Sequence, residues 1–117
     1  NQTTLIIRPI SDPNNIQPLE IGKKVTAFAW SPDSTKIIFA EFDSQGAEEK
    51  TRKNRVWIWD VVTDEKTLLT QLDYDFEYTY GENQDKKSWA TSKIDGLHWH
   101  MDLIYIQYHR EILVWQL

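Results

Sequence analysis

The sequence predicts an all-β fold of four-stranded antiparallel units, and three observations carry that prediction. Apolar residues recur at alternate positions, as in Val25-Thr-Ala-Phe-Ala-Trp30, or gather in short runs rich in β-branched and aromatic residues, as in Ile37-Ile-Phe-Ala-Glu-Phe42. No window of eleven or more residues carries apolar side chains at i, i+3, i+4 and i+7, so no amphipathic helix is indicated. Polar segments with turn chemistry separate the runs, the clearest being Ser31-Pro-Asp-Ser34, where Pro presets the φ of a tight turn and Asp bonds its own backbone.

In chain order, strands are expected at Thr4 to Arg8 and Gln17 to Ile21, separated by Ser11-Asp-Pro-Asn-Asn15. Val25 to Trp30 and Lys36 to Phe42 flank the Ser31 turn, and Asp43 to Asn54 reads as a loop too polar to bury a helical face. Arg55 to Val61 and Lys66 to Leu72 follow, joined by Val62-Thr-Asp-Glu-Lys66. Asp73 to Lys93 reads as an insertion. Its Asp73-Tyr-Asp-Phe-Glu-Tyr-Thr-Tyr80 alternates strictly and suits a half-buried strand or an insertion packed by its aromatics, and Gly81 to Lys87 is polar without a strand pattern. Ile94 to Trp99, Leu103 to Tyr108 and Glu111 to Leu117 close the chain as strands.

An internal repeat organises these runs. Val25 to Trp30 returns as Ile94-Asp-Gly-Leu-His-Trp99, Ile37-Ile-Phe-Ala40 as Leu103-Ile-Tyr-Ile106, and Val56-Trp-Ile-Trp59 as Ile112-Leu-Val-Trp115. Leu5-Ile-Ile7 with Pro18-Leu-Glu-Ile21 is similar to the back half of the unit. The chain therefore divides as one β domain over 1–117, with a half unit at 1–24, a full unit at 25–72, an insertion or linker at 73–93 and a partial unit at 94–117.

Ala29-Trp-Ser-Pro-Asp-Ser-Thr-Lys-Ile-Ile-Phe-Ala40, with Val56-Trp-Ile-Trp-Asp-Val61 and Thr63-Asp-Glu-Lys66, resembles a β-propeller blade of the TolB-type or WD-repeat-like kind. It is also similar to blades in the propeller domains of prolyl-oligopeptidase-type enzymes. The resemblance spans nearly the whole chain, a little over two blades, and the Trp-Ser-Pro-Asp turn is its most specific part. The Gly-His pair of a true WD repeat is absent, and Trp30 and Trp99 stand further apart than the roughly 40–50 residues of a blade. A closed ring needs at least four blades of about 40 residues. The 117 residues are thus expected to form part of a larger propeller, with a ring of copies or a small β-sandwich as alternatives. Alone, a little over two blades leaves blade faces and sheet edges unsatisfied, which invites a protein partner or self-association.

Composition bounds the function. Hydrophobic residues at 40%, charged at 26% and aromatic at 13% fit a soluble globular protein and exclude a disordered chain. A net charge of -5 offers no reason to expect a nucleic-acid partner, since phosphate binding needs clustered Lys and Arg. No apolar run approaches the roughly 18 residues of a membrane span. Asn1 to Arg8 lacks the basic start and apolar stretch of a signal peptide, and the first residue is not Met, as in a mature form or an excised piece. Without Cys there is no disulfide or thiolate chemistry, and no compartment follows.

Candidate sites are few. His98, His100 and Asp102 have a zinc-like residue set, with His98 and His100 on one face of a strand, but further ligands such as His109 or Asp95 must come from elsewhere, so a strand end entering a turn is the preferred reading. The acidic spacing from Asp73 lacks the Gly at the sixth position and Glu at the twelfth of a calcium loop, where Tyr78 and Gln84 stand. If the ring face is exposed, Tyr74, Phe76, Tyr78, Tyr80 and Trp89 make an interaction surface. Lys50 to Arg55 reads as a solvated hairpin loop, and Trp57, Trp59 and Trp115 as core. No nucleophile elbow and no phosphate-binding Gly-rich loop occur. The expected function is a non-catalytic scaffold or protein-interaction module with no cofactor. The alternative, implied by the resemblance, is the accessory propeller of a prolyl-oligopeptidase-type serine peptidase.

Overall fold

The computed structural model describes residues 3–21, 23–43, 53–72 and 75–117, with only the backbone for 3, 75–77 and 89–91. Eleven strands occur among them: β1 (Thr3–Ile7), β2 (Gln17–Ile21), β3 (Lys24–Trp30), β4 (Lys36–Asp43), β5 (Lys53–Asp60), β6 (Glu65–Leu72), β7 (Asp75–Tyr80), β8 (Lys86–Thr91), β9 (Ile94–His100), β10 (Leu103–Tyr108) and β11 (Glu111–Gln116). They form a β1–β2 hairpin, a four-stranded meander β3-β4-β5-β6, a β7–β8 hairpin and a three-stranded meander β9-β10-β11, all antiparallel. No closed ring of sheets is present among the described residues. The nine strands expected from the sequence are found within two residues at each end. The loop read over Asp43 to Asn54 narrows, because β4 runs to Asp43 and β5 starts at Lys53, while the segment 44–52 lies outside the described residues. Residues 73–93 contain the β7–β8 hairpin, whose second strand the polar Lys86-Lys-Ser sequence conceals.

Three sheets stack face to face, and the four-stranded one is the middle layer. Its Ile37, Phe39 and Trp59 pack with Ile21 and against Leu5, Ile7 and Leu19 of the first hairpin. Its opposite face presents Ile38, Ala40 and Val56 to Ile94, Ile104, Ile106 and Tyr108 of the three-stranded sheet. This two-sided burial explains why β4 is a continuous apolar run instead of an alternating one. Burying an aliphatic or aromatic side chain of this size contributes about 1.5–3 kcal/mol.

The repeat is visible in the pairing register, but one residue away from the sequence alignment of Ile37 with Leu103: pairing with the flanking Trp strands makes Ile104 the counterpart of Ile37. Trp30 faces Ile37 and Ile37 faces Trp59; likewise Trp99 faces Ile104 and Ile104 faces Trp115. Each first strand carries an irregularity at an equivalent place in the repeat, at Thr26 in β3 and Asp95 in β9. Equivalent residues also face the same way, since Ile37 and Phe39 contact the preceding sheet as Ile104 and Ile106 do.

The turns show why their residues are there. In Ser31 to Lys36, Asp33 Oδ1 accepts from Ser31 Oγ (2.7 Å), Thr35 N (3.1 Å) and Thr35 Oγ1 (2.8 Å), while Ser31 Oγ accepts from Lys36 N (2.9 Å). The donated hydrogen bonds, that of the Ser31 hydroxyl foremost, lower the Asp33 pKa to about 2. After β5, Asp60 Oδ1 accepts from Val62 N and Thr63 N, and the Thr63 amide is the main cause of its lowered pKa. Trp59 is fully buried and its indole Nε1 donates to Asp64 Oδ1 at 2.9 Å, so the Trp-Asp dipeptide closes a turn.

Asn54 ties two sheets together. Its side chain is fully buried; Nδ2 donates to Ser92 O (2.6 Å) and Leu72 O (3.3 Å), and Oδ1 accepts from Ile94 N (3.2 Å). Arg55 beside it pairs with Asp43 at 3.0 Å. The described part of the basic cluster is therefore strand, not loop.

Candidate functional site

The outer face of the three-stranded sheet is left open by the stack. The register sets His98 against Tyr105 and Tyr105 against Val114, with Gln107 and Ile112 paired one step along this face. These positions correspond to Ala29, Ile38, Ile58, Ala40 and Val56 of the four-stranded sheet. There the face is covered, and Val56 is 0% exposed; here Ile112 is 64% exposed and Val114 57%. Among the described residues β11 has a sheet neighbour on one side only, β10. Trp115, assigned to the core on its repeat position, is 38% exposed because β11 lacks the fourth strand that flanks Trp59 in β5. Trp57 is half-buried, its indole donating to Glu41 Oε1 at 3.1 Å and its ring lying under Lys66 Nζ at 4.4 Å.

His98 and His100 share a face as their spacing requires, with stacked rings 6.3 Å apart, and His98 lies 6.1 Å from the Tyr105 ring. Asp102 sits beyond them in the β9–β10 turn, and His109 Nδ1 is engaged with Ser92 Oγ at 2.8 Å. Among the described residues no three His, Cys, Asp or Glu side chains converge as a metal site. The imidazoles instead lend the face polar and aromatic character.

The aromatic surface expected from the insertion is described in part. Tyr78 and Tyr80 on β7 are exposed with ring centroids 6.1 Å apart. Tyr74 lies outside the described residues. Phe76 is level with Ala90 in the hairpin, whereas Trp89 is level with Glu77, a register position of the other face from Tyr78 and Tyr80. The tip is held by Gln84 N to Gly81 O (3.2 Å) and Thr79 Oγ1 to Gln84 Oε1 (2.8 Å).

The open β9–β11 face was not singled out by residue from the sequence. The signal lay in the repeat: aligning Ile112 with Val56 marks it as a residue whose counterpart is packed between sheets. No helix among the described residues is long and apolar enough to cross a membrane. No protein-family model matches the chain, and no curated protein or solved structure matches it either.

Proposed function

We propose that the chain is a non-catalytic module of stacked, blade-type sheets of the propeller kind, and that it works as a protein-interaction platform whose β9–β11 face and free β11 edge receive a further β-sheet. The observation that carries this reading is the contrast between equivalent positions: Val56 is wholly buried between sheets while Ile112 stands open on the last one. Burial of two such aliphatic side chains is worth about 1.5–3 kcal/mol each, and an edge strand adds a row of unpaired backbone groups that template pairing. The same-direction stacking of equivalent residues and the register repeat support the blade-type description. The mixture of Ile112 and Val114 with His98, Tyr105 and Gln107 suits a surface that exists both free and bound.

A second copy of the chain is the partner at hand for a test. Sedimentation velocity over a range of concentrations is expected to show a mass rising above 13.9 kDa. Val114→Lys, which sets a charge in the strip, returns it to the monomer. A wild-type chain that stays monomeric throughout refutes the reading.

A further inference from the structure

The inner surfaces of the two larger sheets do not meet along their full length. At the end where the β3–β4 and β9–β10 turns lie, they part around a cavity of about 590 Å3 that is open to solvent, with Asp33, Asp102 and Leu117 exposed at its rim. Its apolar lining comes from Ile58, Trp99 and Leu117, and its charges from Asp33, Lys36 and Asp102. This is a continuation of the core between sheets, since Trp99 packs against the same cluster as Ile38 and Ile104. The indole is held in place because its Nε1 donates to Met101 O at 3.0 Å, and Leu117 is drawn against the turn by its N–H to Asp102 O at 2.9 Å. The site lies on the opposite side of the last sheet from the open β9–β11 face and does not depend on it.

The charges decide what such a cavity takes. Asp33 is ionised at any ordinary pH, and all three of its hydrogen bonds fall on Oδ1. The Asp102 carboxylate has no hydrogen bond or ion pair from a described residue, and Asp33 Oδ2 likewise has none. The one cation in the lining, Lys36, lies 4.0 Å from Asp60 and 3.4 Å from Thr35 Oγ1, and its charge also contributes to holding the Asp33 carboxyl ionised. Two carboxylates with capacity for donors therefore stand against one engaged ammonium, beside an indole and an aliphatic floor. Carboxylates attract an ammonium or guanidinium by charge-assisted hydrogen bonds, and an aromatic wall favours the same cation. An alkyl stem on that cation displaces water from the apolar lining.

We infer that the cavity between the β3–β4 and β9–β10 turns is a binding site for an alkylammonium or alkylguanidinium group, with its stem on Trp99 and Ile58 and its charge between Asp33 and Asp102. The test is an NMR titration of the wild-type chain, following the Trp99 indole N–H and the amides of the two turns. The probes are n-pentylammonium, its neutral counterpart n-pentanol and the anion pentanoate. Saturable shifts with pentylammonium, at least tenfold weaker with pentanol and absent with pentanoate, are expected. Asp102→Asn, at an exposed turn position that leaves the fold intact, should weaken pentylammonium about tenfold while leaving pentanol unchanged. N-acetyl-lysine methylamide binding more tightly than pentylammonium would assign the cation to a protein side chain, and the reverse order to a free amine. Equal binding of pentanol and pentylammonium, or no saturable shift with pentylammonium, overturns the inference.

Discussion

Replacing Asn54 with Ala should cost more stability than any exposed substitution in the chain, and the size of the loss can be worked from three bonds. Nδ2 serves the carbonyls of Leu72 and Ser92, and Oδ1 receives the amide of Ile94. Ser92 and Leu72 are half-buried, so water can replace the lost donors at a cost of about 1 kcal/mol each. Ile94 is buried, and its orphaned N–H costs about 1–3 kcal/mol. The sum is roughly 3–5 kcal/mol, a large share of the 5–15 kcal/mol typical of a domain. In thermal terms it is a fall in Tm of roughly 10–20 °C.

Urea unfolding followed by tryptophan fluorescence measures it, with the m-value checking that the denatured state has not changed. Asn54→Asp sharpens the test. It retains an acceptor for Ile94 N–H but sets carboxylate oxygen against two carbonyls in a buried site, so at neutral pH it should be less stable than Asn54→Ala. Burial and the facing carbonyls raise that carboxyl's folded pKa above its unfolded value. Its penalty is therefore full above the folded pKa and shrinks as pH falls. A loss for Asn54→Ala within about 0.5 kcal/mol of zero, or an Asn54→Asp variant as stable as wild type at neutral pH, refutes the account of Asn54 as the tie between sheets.

Two further outcomes follow from local geometry. Asp33 has a folded pKa of about 2 against an ordinary 3.8, so the stability its ionised form contributes is present above the ordinary value and is lost as pH falls through about 2; a carboxyl NMR titration should give that low midpoint, and Ser31→Ala should raise it, whereas a midpoint near 3.8 in the wild type would contradict the turn network. Gly81→Ala forces a side chain into φ +95°, at about 1–2 kcal/mol, while at Gly96 the added Cβ meets only the end of the exposed Gln107 side chain, which can swing away, so Gly96→Ala should stay within about 1 kcal/mol of wild type in the same urea assay; the reverse order would show that Gln107 is fixed.

The strands and the repeat were legible because period-two patterns and turn residues act locally. Ser31-Pro-Asp-Ser34 turns where its chemistry says it should, and Val25 to Trp30 aligns with Ile94 to Trp99 down to the shared irregularity. What failed to read locally was anything set by a neighbouring layer. Asn54 sits in a basic cluster that looks like a loop, and only the approach of Ser92 and Ile94, far along the chain, makes it a buried tie. Trp115 has the sequence context of Trp59, yet its exposure is decided by a missing flanking strand. The cavity between the β3–β4 and β9–β10 turns is composed from five separate segments, which no local pattern brings together. The second strand of the β7–β8 hairpin has too few apolar residues to declare itself and is set by pairing with the first.

The composition of the open face bears on where a partner would engage. Relative to the four-stranded sheet, β9 and β10 have exchanged Ala29, Ile38 and Ala40 for His98, Tyr105 and Gln107, groups that tolerate water. β11 has made no such exchange, because Val56 and Ile58 are matched by Ile112 and Val114. The apolar strip therefore coincides with the strand whose edge is unpaired, while the polar and aromatic positions lie further in. A sheet that simply lacked its neighbour would be apolar across its width, and one adapted to permanent solvent would have charges at its edge, as free edges commonly do. Neither holds here. On the proposed reading, the free energy of association is concentrated in Ile112 and Val114 together with the backbone of β11. Lysine at Val114 should then abolish association, whereas His98→Ala should change it little.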